Sequence, residues 1–503
     1  MGEPYHFVIN FAGELGVKGR DIRNRFIARL AGNLTDAMKS AGHPFEIERR
    51  WSRLFLISPN EAAGATAARV FGVRSVAKAV RRPWTDLEDL VATGGKVLRS
   101  AVRGRTFAVR VRRGDRANQL PFRSPEVERR IGALLAPHSA GVSLKTPEVE
   151  ARVELHDGSA YFFAERVDGP GGLPLGSGGR ALALVSGGFD SAVAAWLTLR
   201  RGVRLEYLFF DLGGESHRMG SLEVLKILAD RWSYGHRPRL RVVDLRPVAK
   251  QIRERCPEGL WQVVLKRVMV RLACRLAEAT DSAALVTGEA IGQVSSQTLE
   301  NLRAIEAAAD LPVLRPLVTC PKEEILDLAR RIGTYEASSR VREYCGLGGS
   351  GPETDVPTDR ADSAEAALEP ALLSRLMEEG AELDLRTLEL RGGSAPDLRV
   401  GAIDDAAQAV DLRSEGAYRS WHYPGAIRMG YAEALDAAGD LDRGRRYVFY
   451  CELGLKSAHV AEVLGRAGVD ARYYAGGLRR LVRWAESTVD PALSAALSPA
   501  LLE

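Results

Sequence analysis

The stretch that most narrows the fold is Ala181-Leu182-Ala183-Leu184-Val185-Ser186-Gly187-Gly188-Phe189-Asp190-Ser191. Its first five residues are apolar without polar alternation, as a strand covered on both faces requires in a parallel sheet between helical layers. The two glycines allow a tight turn, so the run reads as strand, loop and the opening of a helix. There the backbone N–H groups of the loop and the positive end of the helix converge on one point, which suits an anion such as phosphate. Ser186 and Ser191 add hydroxyl donors, and Asp190 is placed to hold Mg²⁺ or orient phosphates. A plain glycine turn is the competing reading, and six such residues at the end of a buried strand weigh against it. No Gly-Lys-Ser/Thr closes the loop, which excludes the Walker pattern.

Strand-like runs recur at Leu205 to Phe210, Leu240 to Leu245 and Ala283 to Thr287, separated by helical patterns. That alternation predicts a doubly wound sheet, whose ligands sit beyond the carboxyl ends of the strands. Phe209-Phe210 and Thr287-Gly288-Glu289 end two of those strands, and Lys266 and Arg267 are expected to neutralise phosphate.

A chain of 503 residues is too long for one hydrophobic core, and two to four domains are expected. Residues 1–80 read as a small α/β unit, with strands at Phe7 to Phe11 and Arg53 to Ile57 and a helix over Asp21 to Ser40. Residues 81–172 form a second unit, with strands at Thr106 to Val111 and Ala151 to Leu155 around a helix at Ser124 to Leu135. The glycine- and proline-rich run Pro170 to Gly179 leads into the doubly wound unit, residues 173–346. Residues 347–397, rich in Gly, Pro, Asp, Glu and Ala, read as a partly ordered linker with one helix near Ala364 to Glu379. Strand and helix alternate again over 398–503, at Ala407 to Leu412, Arg446 to Tyr450, Ser457 to Gly468 and Ala471 to Tyr474.

No apolar run approaches the roughly 20 residues needed to span a bilayer, and the N-terminus lacks the pattern of a signal peptide, so a cytoplasmic protein is expected. The net charge of +5 is a weak pointer to nucleic acid, but its distribution is sharper. Nine arginines stand between Ala101 and Arg130 against three acidic residues. Arg103, Arg105, Arg110, Arg112, Arg113 and Arg116 fall on strand and turn positions, a face suited to the phosphates of folded RNA. A solvated basic face is the alternative. The five cysteines, Cys256, Cys274, Cys320, Cys345 and Cys451, fit neither a disulfide scaffold nor a paired metal motif.

The Ser-Gly-Gly-x-Asp-Ser loop resembles that of the PP-loop ATP pyrophosphatases, which cut ATP between the α- and β-phosphates. Three further stretches narrow the resemblance: Leu265-Lys266-Arg267-Val268-Met269, Thr287-Gly288-Glu289-Ala290-Ile291-Gly292-Gln293-Val294-Ser295-Ser296-Gln297-Thr298, and Glu343-Tyr344-Cys345-Gly346. With Gly13-Glu14-Leu15-Gly16-Val17-Lys18-Gly19 near the start, the chain resembles the tRNA 4-thiouridine synthase family over essentially its whole length. The resemblance implies an α/β multidomain fold. Its parts are a ferredoxin-like α+β N-terminal unit, a THUMP domain that binds RNA, a PP-loop ATP pyrophosphatase domain and a C-terminal rhodanese domain. It implies that Leu184, Val185, Phe209, Phe210, Lys266, Gly288 and Gln297 contact ATP. Asp190 and Lys322 would then serve adenylation of O4 of the uridine at tRNA position 8. Mg²⁺ would accompany the ATP.

The sulfur route is carried by Asp411-Leu412-Arg413-Ser414-Glu415 and His422-Tyr423-Pro424-Gly425-Ala426-Ile427, which resemble the rhodanese signature. In Tyr450-Cys451-Glu452-Leu453-Gly454-Leu455-Lys456-Ser457, a thiol at the end of a strand meets a helix N-terminus and Lys456, which should depress its pKa. The family pattern makes Cys451 the persulfide carrier, with Lys456 and Ser457 in its loop. Cys345 would be the partner that attacks its sulfur, leaving a transient Cys345–Cys451 disulfide. Some relatives hold an iron–sulfur cluster, but Cys256 has Gly259 three residues on, and no cluster is expected. The implied partners are tRNA, a cysteine desulfurase and a ubiquitin-like sulfur carrier for thiamine thiazole synthesis, while a homodimer is left open. Three rivals stand beside this reading: a sulfur-relay carrier serving mainly thiamine, another PP-loop tRNA-thiolating enzyme, and an RNA-binding module with a dead loop, against which the intact Ser186 to Ser191 run speaks.

Overall fold

A computed structural model describes the chain apart from residues 1–2, 17–18, 51–52, 115–119, 157, 213, 340, 342–346, 348–350, 389–397, 405, 453, 475–476 and 489–503. Three β-sheets organise it. The first holds β1 (Tyr5–Phe11), β2 (Glu46–Arg50), β3 (Arg53–Ser58), β4 (Val73–Pro83), β5 (Thr106–Arg113), β6 (Gly141–Val142), β7 (Val149–His156), β8 (Ser159–Phe163) and β9 (Val167–Asp168). Their order is β2-β3-β1-β4-β8-β7-β5-β6, with β9 on β4. The long strand β4 pairs with β1 through Ala79↔His6 and with β8 through Val80↔Phe162. The first two expected units therefore share one continuous sheet. Helix Arg20–Ser40 covers one half by burying Ile27, Leu30, Leu34 and Met38, spaced for one helical face. Helix Ser124–Leu135, with Pro125 in its first turn, covers the other with Val127, Ile131 and Leu135.

The second sheet contains β10 (Arg180–Val185), β11 (Arg204–Asp211), β12 (Arg239–Asp244), β13 (Leu285–Val286), β14 (Val313–Leu314) and β15 (Ala381–Asp384), ordered β14-β13-β10-β11-β12-β15. All pairings are parallel except β12 with β15. The unbroken apolar run of β10 divides between two cores. Ala181, Ala183 and Val185 face one, and Leu182 faces the other with Leu208 and Phe210 of β11. The chain steps from β10 outward through β11 and β12, then returns to lay β13 on the other side of β10. That reversal opens a crevice beyond the carboxyl ends of β10 and β13, the place where open α/β sheets bind ligands.

The stretch read as a linker differs. Residues 358–384 carry two helices, Thr358–Glu365 and Pro370–Glu379, and the edge strand β15. The single expected helix is divided just before Pro370, which begins a helix far more readily than it continues one. Leu368, Leu372 and Leu376 are buried in the second core, so this segment completes the doubly wound domain.

The third sheet is parallel throughout, with β16 (Arg399–Val400), β17 (Gln408–Asp411), β18 (Ile427–Arg428), β19 (Tyr447–Tyr450) and β20 (Ala471–Tyr474) in the order β16-β20-β19-β17-β18. Among the described residues, no helix is long and apolar enough to cross a membrane.

Candidate active site

The loop after β10 closes on itself before helix Phe189–Arg200 begins. Gly187 has φ +77°, a left-handed conformation that a side chain would strain. Ser191 Oγ accepts from the Ser186 N–H at 3.2 Å and donates to the Gly188 carbonyl at 3.2 Å, which holds the turn open as a cradle. Gly288, just beyond β13, lies against the same turn. A Cβ there would sit 2.6 Å from the Ser191 nitrogen and 2.7 Å from the Asp190 carbonyl carbon. Only glycine lets the two strand ends meet this closely.

Two charged groups line the crevice. Lys322, opening helix Lys322–Ile332, places Nζ 2.8 and 3.0 Å from the two Asp190 oxygens, and Gln293 donates to Asp190 Oδ2 at 2.9 Å. The two residues expected to serve adenylation are thus brought together across 132 positions of sequence. The second group centres on buried Glu289, whose oxygens receive Lys266 Nζ at 2.9 Å and Arg315 Nε at 2.9 Å. Burial works to raise the Glu289 pKa, but Lys266 and Arg315 overcome it and hold the carboxyl below the usual range. Gln293, Glu289 and Arg315 were not picked out from sequence as site residues. Position alone pointed to Glu289, which follows Gly288, while Arg315 lies in a loop with no motif.

Gln297 is buried, and its Oε1 has no hydrogen-bond partner among the described residues. A buried amide oxygen left unpaired is costly, and a donor on a bound molecule would satisfy it. Phe209 and Phe210 are buried on opposite faces of the sheet and Val185 is buried at the end of β10, so at the crevice they offer backbone. Leu184 is half-buried.

Arg267 corrects an expectation. It is fully buried, with Nε 2.8 Å from Glu365, a short contact to Asp362 and another to the Ala304 carbonyl. It clamps helix Thr358–Glu365 to helix Trp261–Ala279 and has no charge to spare for phosphate. Lys266, one residue earlier and about 100° around the helix, faces the crevice instead.

In the third sheet, Cys451 follows β19 and precedes helix Leu455–Arg466, capped by Gly454 with φ +84°. Ser457 Oγ lies 3.5 Å from Cys451 Sγ and donates to the Gly454 carbonyl at 3.1 Å. Asp411 and Arg413 form a buried pair, with Nη2 to Oδ2 at 2.7 Å, that braces the adjoining loop. The expected depression of the Cys451 thiol does not hold in this arrangement. Burial pushes its pKa up and outweighs the lowering by the Ser457 hydroxyl and N–H and by Lys456, while Glu223 adds to the rise. Cys345, Leu453, Ala475 and Gly476 lie outside the described residues, as do Val17 and Lys18 of the N-terminal motif. Cys256 and Cys274 are buried and Cys320 is half-buried, and none of the three forms a disulfide.

Comparison with known proteins accounts for each of these parts. The ThiI ferredoxin-like domain matches residues 6–77, the THUMP domain 85–165, the family described as thiamine biosynthesis protein (ThiI) 176–369, and the rhodanese-like domain 394–483. A tRNA sulfurtransferase of Pyrobaculum aerophilum is 37% identical over 468 residues, covering 92% of this chain and 95% of that one. The chain belongs to the tRNA sulfurtransferase family. The tRNA sulfurtransferase of Edwardsiella ictaluri is 35% identical, covering 92% of this chain and 98% of that one. Among solved structures, a 4-thiouridine synthetase–RNA complex with bound ATP aligns with a TM-score of 0.64 at 28% identity, covering 76% of this chain and 99% of that chain.

The arginine cluster lies within the segment that matches the THUMP domain. Arg103, Arg105 and Arg112 are exposed, and Arg110 is half-buried with Nη2 donating to the Leu144 carbonyl at 2.6 Å. Arg110 and Arg112 alternate along β5 and emerge on the face away from the helices, where Arg110 stands beside Arg152 of β7. Arg113 points the other way and donates to the Phe122 carbonyl at 3.0 Å, a structural use of its charge. Arg116 lies outside the described residues.

Proposed function

We propose that this tRNA sulfurtransferase adenylates O4 of the uridine at tRNA position 8 and replaces that oxygen with sulfur carried on Cys451, forming 4-thiouridine. The observation that carries the reading is the Asp190–Lys322 pair at the mouth of the β10 loop, 2.8 Å apart. ATP lies with its phosphates on the loop N–H groups and its charge met by Lys266 and Lys322. Gln297 Oε1, unpaired among the described residues, accepts from an amino group of the nucleotide. A carboxylate has about four acceptor positions, so Asp190 retains sites for the Mg²⁺ that accompanies ATP. The O4 oxygen attacks the α-phosphorus and pyrophosphate leaves. The terminal sulfur of the Cys451 persulfide then attacks C4, AMP leaves with the former O4, and a disulfide joins the uridine sulfur to Cys451. The Cys345 thiolate attacks Cys451 Sγ, the uridine departs as the thiocarbonyl, and a Cys345–Cys451 disulfide awaits reduction by a thiol reductant.

The path of the chain supports that last step. Val341 packs against Gly220 of helix Gly214–Trp232, where a Cβ would come within 3.0 Å of its Cγ2. Glu223 on the same helix meets Lys456, in the Cys451 loop. Cys345 follows Val341 by four positions, and an extended chain of that length spans at most about 14 Å. The sulfur donor is a cysteine desulfurase. The match to the family described as a thiamine biosynthesis protein favours a second role, in which Cys451 passes sulfur to a ubiquitin-like carrier.

The test is reconstitution. Purified protein with ATP, Mg²⁺, a desulfurase with cysteine and unmodified tRNA should yield 4-thiouridine, read by its near-ultraviolet absorbance. Cys451→Ser should abolish turnover with that donor. Full product from the variant, or none from the wild type, would refute the reading. Transfer to the carrier without any tRNA product would favour the relay role alone.

A further inference from the structure

The Cys451 loop is docked on the nucleotide-binding domain through Lys456, and its thiol is buried. Lys456 Nζ lies 2.6 Å from Glu223 Oε2 of helix Gly214–Trp232, and the side chains are only 10% and 7% exposed. Lys456 Nζ also stands 5.6 Å over the Tyr431 ring, whose hydroxyl lies 2.6 Å from His459 Nδ1. Tyr431 belongs to the rhodanese domain yet packs against the core of the doubly wound domain. The contact thus has a charged centre and an aromatic flank, and Cys451 beside it is 5% exposed.

The same helix also touches the nucleotide loop. Ser221 Oγ donates to the Ser186 carbonyl at 2.9 Å. Ser221 and Glu223 are two residues apart, about 200° around the helix, so they emerge on opposite sides of a body roughly 10 Å thick. The docked thiol is therefore separated from the phosphate cradle by a helix, and it is closed to a donor from outside.

We propose that Glu223 marks an interaction surface whose partner is the rhodanese domain of the same chain, and that this surface stores the sulfur loop between its visits to donor and acceptor. This rests on the reading that Cys451 carries the sulfur. A charged pair almost out of water depends on both members, because losing one leaves the other uncompensated. Undocking returns both to water, so the pair can hold the loop and still release it. Glu223 acts as a positioning residue and takes no part in the chemistry.

The experiment is alkylation of the full-length protein by iodoacetamide, followed on the Cys451 peptide by mass spectrometry across a range of pH. Glu223→Gln should raise the rate on the high-pH plateau by about tenfold, as for a two-state equilibrium shifted toward its open form. Glu223→Lys should raise it at least as far, and the pair Glu223→Lys with Lys456→Glu should bring it back. A residue acting only on thiol ionisation would move the midpoint of the profile and leave the plateau alone. Plateau rates within twofold of wild type in both single variants would overturn the proposal. This readout needs no sulfur transfer, so failure of Cys451 as carrier would appear separately, as a Cys451→Ser protein that still makes product.

Discussion

Lys322 and Asp190, from helices 132 residues apart in sequence, meet at 2.8 and 3.0 Å across the crevice between β10 and β13. Neither residue alone marks an active site, since a lysine opening a helix is commonly just solvated. In the proposed reaction, their meeting at the loop sets the ammonium where charge would develop on the α-phosphate. Asp190→Asn keeps the shape and loses that hold, and Lys322→Met loses the charge. Each should cut tRNA-dependent pyrophosphate release by about 10²- to 10³-fold, the scale of one lost electrostatic stabiliser. Thermal stability should change little. Release within fivefold of wild type in either variant would remove the pair from the mechanism.

Gly288 makes a sharper steric test. Alanine there puts a methyl 2.6 Å from the Ser191 nitrogen and 2.7 Å from the Asp190 carbonyl carbon, both backbone atoms that cannot step aside. The loop must shift from β13, and overpacking of this kind costs about 1–3 kcal/mol. Gly288→Ala should weaken ATP binding in calorimetry by at least about tenfold and lower the unfolding midpoint.

What was legible in the sequence was what is local. The β10 run, its loop and Asp190 are written in consecutive residues, and the hydrophobic spacing of Arg20–Ser40 and Ser124–Leu135 marks their buried faces. What depended on distant partners was not legible. Lys266 and Arg267 are neighbours of like charge, and only the position of helix Thr358–Glu365 decides that one faces the crevice and the other is buried. The residues 381–384 lack the β-branched pattern of a strand and pair because the free edge of β12 accepts them. The Cys451 thiol departs from its expected acidity because of residues distant in sequence as well. Its own loop would depress the pKa, but burial in the core of its own domain beside Val410, Leu412 and Phe449 outweighs that, and Glu223 adds to the rise.

The Glu289 cluster separates stability from binding. Removing Arg315 leaves a buried carboxylate with one cation fewer, so Arg315→Met should destabilise the domain by about 3–5 kcal/mol. Glu289→Gln added to it should recover much of that loss in a denaturation series, because no buried charge is then left short of a partner. ATP affinity should stay weak in the double variant if Glu289 serves to aim Lys266. Full recovery of affinity would make the cluster purely structural.

His236 gives the stability a pH signature. Burial pushes its pKa down to about 4, assisted by Arg204, Arg180 and Arg386, against the bond to the Leu205 carbonyl at 3.0 Å. Glu206 Oε1 faces the ring at 3.7 Å without reversing that balance. As pH falls below 6.5 the unfolded chain takes up a proton that the folded chain refuses. Stability therefore drops progressively from pH 6.5 to about 4, by roughly 3 kcal/mol for this group. His236→Gln, which keeps a donor for the Leu205 carbonyl, should flatten that slope in unfolding midpoints measured over the window. An equal slope in both proteins would assign the acid sensitivity elsewhere.

The arginines of the THUMP domain divide into two experimental classes. Arg103, Arg105 and Arg112 are exposed, Arg105 while also donating to the Ala101 carbonyl at 2.6 Å, whereas the half-buried Arg113 is tied to the Phe122 carbonyl. If the exposed three meet tRNA phosphates, each contact releases counterions, and the affinity depends on salt accordingly. Replacing any one by alanine should weaken tRNA binding at low salt and reduce the slope of log affinity against log salt by about 1. Arg113→Ala should instead lower the unfolding midpoint and leave the slope within error, because its half-buried guanidinium points to the opposite face and holds protein backbone there. Binding measured by fluorescence anisotropy at several salt concentrations distinguishes the two classes. Unchanged slopes for Arg103, Arg105 and Arg112 alike would move the RNA to another face of the molecule.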